Sequence, residues 1–458
     1  MKSKITICIL LCFVCFSCRI FFFDPDHIIQ NEWDLTVVPD KYNTGVPQDA
    51  VLTKFSGSGN IADNVFISFR TDMTPNQFNL SYSSSKNLPD KVVIKNIDFS
   101  DYDFVVLGTH NYPRTKYITF ENCKFKGFRN EAVEKGQSRI YFTFNRCSFS
   151  GGVTNSYITL NDCQIGGFVS DAINPLREFY ANNLYIYNLF HKTNDDYKHV
   201  DGIQIFGDPR SRNHEVNGFW YSTVERGEIH FKNLRFEIPA LHFSPIPKET
   251  QVNSCIMVQL EYSDVDDISF ETVYANGGYY FPLRIVDGVR ADHSEKGLWS
   301  HKNLLFKDIM VSNNYKTPLL TQYKSNDHEV TNVGHHNQLF VSSVWKDKNG
   351  TAHIIVSNDT KTDKELTVKT DKKTYTFKIP HCPSDYALNE DRAHNKNPDE
   401  KYVDNNGKAY TEYTWEDMPF DLDMKISGDP AFVLCYDGNE KIRYVNFDGK
   451  PHYYSDLK

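Results

Sequence analysis

The chain has 458 residues, of which 40% are hydrophobic and 14% aromatic, and its formal net charge is −9. The acidic balance and the lack of a basic run argue against a nucleic-acid partner, and no apolar run beyond the first residues is long enough to cross a bilayer as a helix. At roughly 150 residues per domain the length allows about three domains, although elongated β folds run longer.

The chain opens with Met1-Lys2-Ser3-Lys4 and an apolar run from Ile5 to Phe16, the charged start and apolar middle of a secretory signal. The run ends in Cys15-Phe16-Ser17-Cys18, which resembles a bacterial lipoprotein processing site with Cys18 as the lipidated residue. Residues 1–18 are therefore expected to direct export. The mature protein is then tethered to the membrane of the cell envelope through a lipid on Cys18, or is secreted after ordinary cleavage. Residues 19–90 carry Gly/Ser-rich stretches such as Ser56-Gly57-Ser58-Gly59-Asn60 and are expected to form an N-terminal cap on the repeats that begin at residue 91.

From residue 91 one pattern recurs: alternating residues, a polar turn residue, then an apolar-x-apolar triplet. Ile118-Thr119-Phe120-Glu121-Asn122-Cys123-Lys124-Phe125 is one copy, and others turn at Asn96, Arg146, Asp162, Asn183, Asn233, Thr272 and Asp308. Short strands at a period of about twenty residues, with no helical pattern between them, predict a solenoid of β-coils. The turn column favours residues that tolerate left-handed geometry, a preference that Arg146 and Thr272 break. The neighbouring column, Ile97, Cys123, Cys147, Cys163, Leu184, Leu234, Val273 and Ile309, is predicted to be interior. Cys123, Cys147 and Cys163 then act as small buried hydrophobes and not as disulfide partners or metal ligands.

The strands before and after the turn make two sheets, and a third begins with His199-Val200-Asp201-Gly202-Ile203-Gln204-Ile205-Phe206-Gly207. The predicted fold class is all-β: a right-handed parallel β-helix of three sheets over residues 91–335. Val258-Gln259-Leu260 and Leu283-Arg284-Ile285 repeat the apolar-polar-apolar middle of the third-sheet strand. Stacked in register, Gln204, Gln259 and Arg284 form an outward column, with His199, Asp201 and Glu261 at its edge. Long insertions, between Gly207 and Gly227, Ala240 and Ser254, and Gly288 and His301, are expected to wall a groove over that column, with Tyr280 contributing an aromatic face. Residues 336–458 change to alternating strands separated by turns, a C-terminal antiparallel, sandwich-like region in which Cys382 and Cys435 can pair.

Asn43-Thr44-Gly45-Val46-Pro47 resembles the start of many secreted β-helix proteins of the pectate-lyase-like superfamily, and His199-x-Asp201-Gly202-Ile203-Gln204 resembles their recurring His-x-Asp-Gly-Ile-Gln segment. The resemblance spans roughly residues 40–320 and implies the parallel β-helix. A more distant likeness is to polygalacturonases, whose Asn-Thr-Asp-Gly-Ile-Asp motif supplies a catalytic Asp. Here Asp201 matches it, Gln204 replaces the second acid, and Arg284-Ile285 matches only part of their Arg-Ile-Lys.

Three functions suit such a face. A polysaccharide lyase acting on a uronic-acid polymer needs a base and a carboxylate clamp, with Arg284 and His199 as candidates, and Ca²⁺ held by Asp201 and Glu261. A glycoside hydrolase needs two carboxylates, and Asp201 with Glu261 is the pair on the expected face. A non-catalytic glycan-binding module uses the same surface without chemistry. Gln204, Gln259 and Tyr280 are the expected substrate contacts in each, although stacked amides also ladder for purely structural reasons.

Overall fold

The computed structural model describes residues 39–40, 42–56, 58–62, 65–70, 77–79, 90–106, 115–130, 139–168, 170–189, 200–206, 212–216, 219–222, 226–238, 252, 254–259, 265–276, 283–286, 301–311, 319–322 and 328–335. In the C-terminal region it describes 339–346, 352–358, 363–369, 374–379, 411–415, 425–426, 435–436, 442–445 and 451–453. Among these residues there is no helix.

Apart from the antiparallel pair Arg212–Val216 and Phe219–Ser222, the strands from Lys91–Lys95 to His328–His335 stack in parallel, each on the next copy of itself along the chain, and form a three-sheet parallel β-helix. First-sheet register runs Val93, Thr119, Thr143, Thr159, Tyr180, His230, Ser269 and Leu305. The chain then turns into the second sheet through a single left-handed residue. Asn96, Asn122, Arg146, Asp162, Asn183, Asn233, Thr272 and Asp308 all have φ between 52° and 58°. Arg146 and Thr272 adopt the same conformation as the asparagines, so the stack imposes it where the residue type does not favour it. Asparagine adds a second reason for its use. Asn122 Nδ2 donates to Asn96 Oδ1 at 3.2 Å, Asn183 Nδ2 to Asp162 Oδ1 at 2.6 Å, and Asn233 Nδ2 to Asn183 Oδ1 at 3.0 Å.

The column beside the turn is interior as expected. Cys123, Cys147 and Cys163 are fully buried, on successive coils, with free thiols. Burial raises the Cys147 thiol well above its ordinary value, so it stays protonated and unreactive. The rest of the core is largely aromatic. Phe99, Phe104, Phe120, Phe125, Phe128, Phe142, Phe144 and Phe149 fill the first coils, and Phe231, Phe270 and Phe306 stack along the later ones at 4.9 and 5.6 Å between centroids. Parallel stacking supplies this arrangement, because identical positions of successive coils lie about 4.8 Å apart.

The N-terminal residues lie against the solenoid. Gly45 N–H donates to the Asp162 carbonyl at 2.7 Å, and Val46 N–H to Ser148 Oγ at 2.9 Å. Gly45 has φ 72°, and a Cβ there would stand 2.4 Å from the Gln164 side chain, so only glycine fits. Nearby, Arg235 lies between the Tyr185 and Tyr274 rings, pairs with buried Glu237 and donates to the Pro39 carbonyl at 3.5 Å. Burial works against its charge, but Glu237 beside it holds the guanidinium above its ordinary value. Thr53–Lys54 then pairs with Ile97 and Asp98, and Phe55 packs on Phe99, closing the first coil. Three antiparallel strands, Ser58–Ala62, Val65–Arg70 and Gln77–Asn79, complete this end.

The described strands after residue 339 are all antiparallel, in three small sheets. The expected Cys382–Cys435 pairing involves a residue outside the described ones.

Candidate functional site

The third sheet is built from Gly127–Asn130 (the end of Lys124–Asn130), Val153–Asn155, Ile173–Pro175, Asp201–Phe206, Ser254–Gln259, Leu283–Val286 and Leu319–Gln322. Phe128, Val153, Ile173, Ile203, Ile256 and Leu283 form one inward column, all buried. Alternation places the next residue of each strand on the outer side. That outward column reads Arg129, Thr154, Asn174, Gln204, Met257 and Arg284. Met257 is buried and the others are half-buried.

Gln204 and Arg284 therefore share a column, but the residue between them is Met257 and not Gln259. Gln259 pairs with Phe206 and Val286, two positions further along the same side. The stack aligns Ile256-Met257-Val258 with Ile203-Gln204-Ile205; a shift of two would leave every side chain on the same side, so alternation alone does not distinguish the two registers.

Asp201 also departs from expectation. It shares the parity of Ile203 and Ile205, three residues from Gln204, and is fully buried. Its in-register neighbour on the preceding coil is Asp171, whose Oδ1 accepts the Asp201 N–H at 2.7 Å. Asp171 Oδ2 accepts from Asn174 Nδ2 at 3.0 Å, and the same Nδ2 reaches Gln204 Oε1 at 3.4 Å. The Asp171 carboxylate thus ties the starts of two third-sheet strands together, and the Asn174 amide links it to Gln204 in the outward column. Sequence reading missed Asp171, yet the signal is present: Asp171-Ala172-Ile173-Asn174 repeats Asp201-Gly202-Ile203-Gln204 in type and register. The small residue at the second position is forced, since a Cβ on Gly202 would meet the Cys255 carbonyl oxygen at 2.4 Å.

Electrostatics follow from enclosure. Burial raises the Asp171 carboxyl, against the lowering effect of its two N–H donors, and burial with the Asp201 charge nearby raises the Cys255 thiol. An acid with a folded pKa above its unfolded 3.8 holds its proton longer in the native state. Its stabilising effect is complete below about pH 3.8 and fades as pH rises through the folded value. Asp171→Asn should remove that fade. The stability difference between wild type and variant, measured by urea unfolding across acid to neutral pH, should shift in favour of the variant as pH rises. A difference constant with pH would contradict the raised carboxyl.

His199, Glu261 and Tyr280 lie outside the described residues, as do Cys18 and the Gln259 side chain. Among the described residues no group of three His, Cys, Asp or Glu side chains is placed to hold a metal ion. Both Asp171 oxygens already accept from N–H groups, whereas Ca²⁺ takes six to eight oxygen ligands. Of the two expected Ca²⁺ ligands, Asp201 is fully buried and Glu261 lies outside the described residues, and the ion is given no part in the chemistry of this face.

The insertion between Gly207 and Gly227 contains an antiparallel hairpin, Arg212–Val216 with Phe219–Ser222. Comparisons with protein-family models, with curated proteins and with solved structures find no match for this chain.

Proposed function

We propose that this is an exported protein that binds an extended, uronic-acid-containing polysaccharide along the outward face of its third sheet and cleaves it as a lyase. The observation that carries the reading is the half-buried outward column Arg129, Thr154, Asn174, Gln204 and Arg284, polar except for Met257 between the last two, on coils about 4.8 Å apart. Guanidinium groups toward both ends suit carboxylates, which they grip in bidentate fashion. The amides between them suit hydroxyls. The likeness of the His199-to-Gln204 segment to the pectate-lyase-like superfamily supports the same reading.

In such a reaction a base removes the proton α to the uronate carboxylate, and the glycosidic oxygen departs from the β carbon and takes up a proton. Arginine stays protonated in proteins, so Arg284 serves as carboxylate clamp and His199 as the base. The hydrolase alternative needs Asp201 in contact with the sugar, and Asp201 is enclosed beneath the face.

The test is incubation of the full chain with polyuronates, followed by ultraviolet absorbance and reducing-end assays. A rise in the absorbance of a conjugated uronate is expected. Arg284→Lys should lower it about ten- to a hundredfold, the value of one charge-assisted hydrogen bond. New reducing ends without that absorbance would favour hydrolysis. Binding without turnover would leave a glycan-binding module, and neither binding nor turnover would overturn the proposal.

A further inference from the structure

The outward face of the first sheet is unlike that of the third. Tyr117 is 48% exposed and stacks on Tyr141 of the next coil at 5.4 Å between centroids, with 15° between ring planes. Tyr141 meets Tyr157 edge-on at 5.3 Å, and the Arg139 guanidinium lies over the Tyr157 ring at 5.1 Å. One coil on, the strip moves one outward position along the strand. Tyr180, 37% exposed, stacks on His230 at 5.5 Å and 22°. The strip crosses five successive strands, about 19 Å along the solenoid axis, open to solvent at Tyr117 and Tyr180 with Tyr157 buried between them.

Polar groups flank the rings. Glu178 accepts from Arg139 Nη1 at 2.8 Å and from the Tyr141 hydroxyl at 2.7 Å. The Tyr180 hydroxyl donates to Glu228 at 3.4 Å, and His230 contacts Ser269 at 2.9 Å and Asp267 at 3.4 Å. Beside the rings run the hydroxyls of Thr119, Thr143 and Thr159 and then the amides of Asn145, Asn161 and Asn182, all in register. Charges on this face alternate: Lys95 pairs with Glu121 at 2.6 Å, and Lys232, Glu271 and Lys307 follow one another in register.

We propose that this face is a second saccharide-binding site, for a neutral polysaccharide laid along the solenoid axis. Tyrosine rings present flat apolar faces to the C–H faces of sugar rings and keep a polar tip for hydroxyls. The threonine and asparagine rows supply further donors and acceptors. Interleaved charges of both signs leave no field to attract a polyanion, which separates this site from the arginine-bearing third sheet. Packing across coils explains why the rings stack on one another, but it does not require Tyr117 and Tyr180 to remain open to solvent. The site does not depend on the lyase reading.

The test is affinity electrophoresis of the full chain through gels holding soluble neutral polysaccharides (a xylan, a galactomannan, a mixed-linkage glucan), with a polyuronate as contrast. At least one neutral polymer should retard the protein. Tyr117→Ala and Tyr180→Ala should each weaken that retardation about tenfold or more, Tyr180→Phe should retain most of it, and Arg284→Lys should leave it unchanged. Should an alanine variant fail to fold, protection of Tyr117 and Tyr180 from acetylation by the bound polymer in the wild-type protein replaces it. The inference is overturned if no neutral polysaccharide retards the protein, if the tyrosine variants bind as well as wild type, or if the polymer leaves both tyrosines unprotected.

Discussion

Phe125→Ala should destabilise the β-helix by about 3–5 kcal/mol, the usual cost of emptying a large aromatic site in a close-packed core. Phe125 is fully buried and touches rings from three coils: Phe99 at 5.3 Å, Phe120 at 5.1 Å, Phe144 at 5.4 Å and Phe149 at 5.1 Å between centroids. Each neighbour belongs to a rigid strand held on both sides, so the site collapses poorly and the cavity term stays large. In a solenoid the loss is also shared, because each coil is stabilised only through the coils it touches. The unfolding midpoint in urea should drop markedly. A change under about 1 kcal/mol would mean that these coils do not pack as described.

Gly202→Val should cost about 3 kcal/mol or more through overpacking. A Cβ at Gly202 would lie 2.4 Å from the Cys255 carbonyl oxygen and 2.7 Å from the Phe236 ring. The carbonyl belongs to the adjoining coil's backbone and cannot turn aside, so the two strands must separate. Separation would pull Gln204 away from Met257 and break the outward column. The variant should therefore lose stability and, on the proposed reading, polyuronate binding together. Wild-type stability in this variant would contradict the close approach of the two coils.

The sequence was most informative where one position repeats in many coils. The left-handed column and the cysteine column beside it are read correctly from eight copies, even through Arg146 and Thr272. Stacking repeats the same environment at each level, so the pattern survives single exceptions. The third sheet was harder for three physical reasons. Met257 is apolar at an outward position, so Val258-Gln259-Leu260 looked like the polar-centred triplet, and only stacking on Ile203 and Leu283 settles the register. Asp201 lies an odd number of residues from Gln204, which alternation sends to the opposite side. Asp171 precedes a strand of only three residues, Ile173–Pro175, and so short a segment shows no period of its own. Its likeness to the Asp201 segment becomes visible once the coils are aligned.

The central claim is the outward column of the third sheet, with Gln204, Met257 and Arg284 on successive coils. Paired cysteines test it most directly. Gln204→Cys with Met257→Cys places two Cα atoms about 4.8 Å apart, inside the range a disulfide spans, whereas Gln204→Cys with Gln259→Cys places them about 8 Å apart, beyond it. After mild oxidation, peptide mapping by mass spectrometry should find the first pair bridged and the second open. A bridge in the second pair and none in the first would contradict the register, and with it the face on which the glycan reading rests.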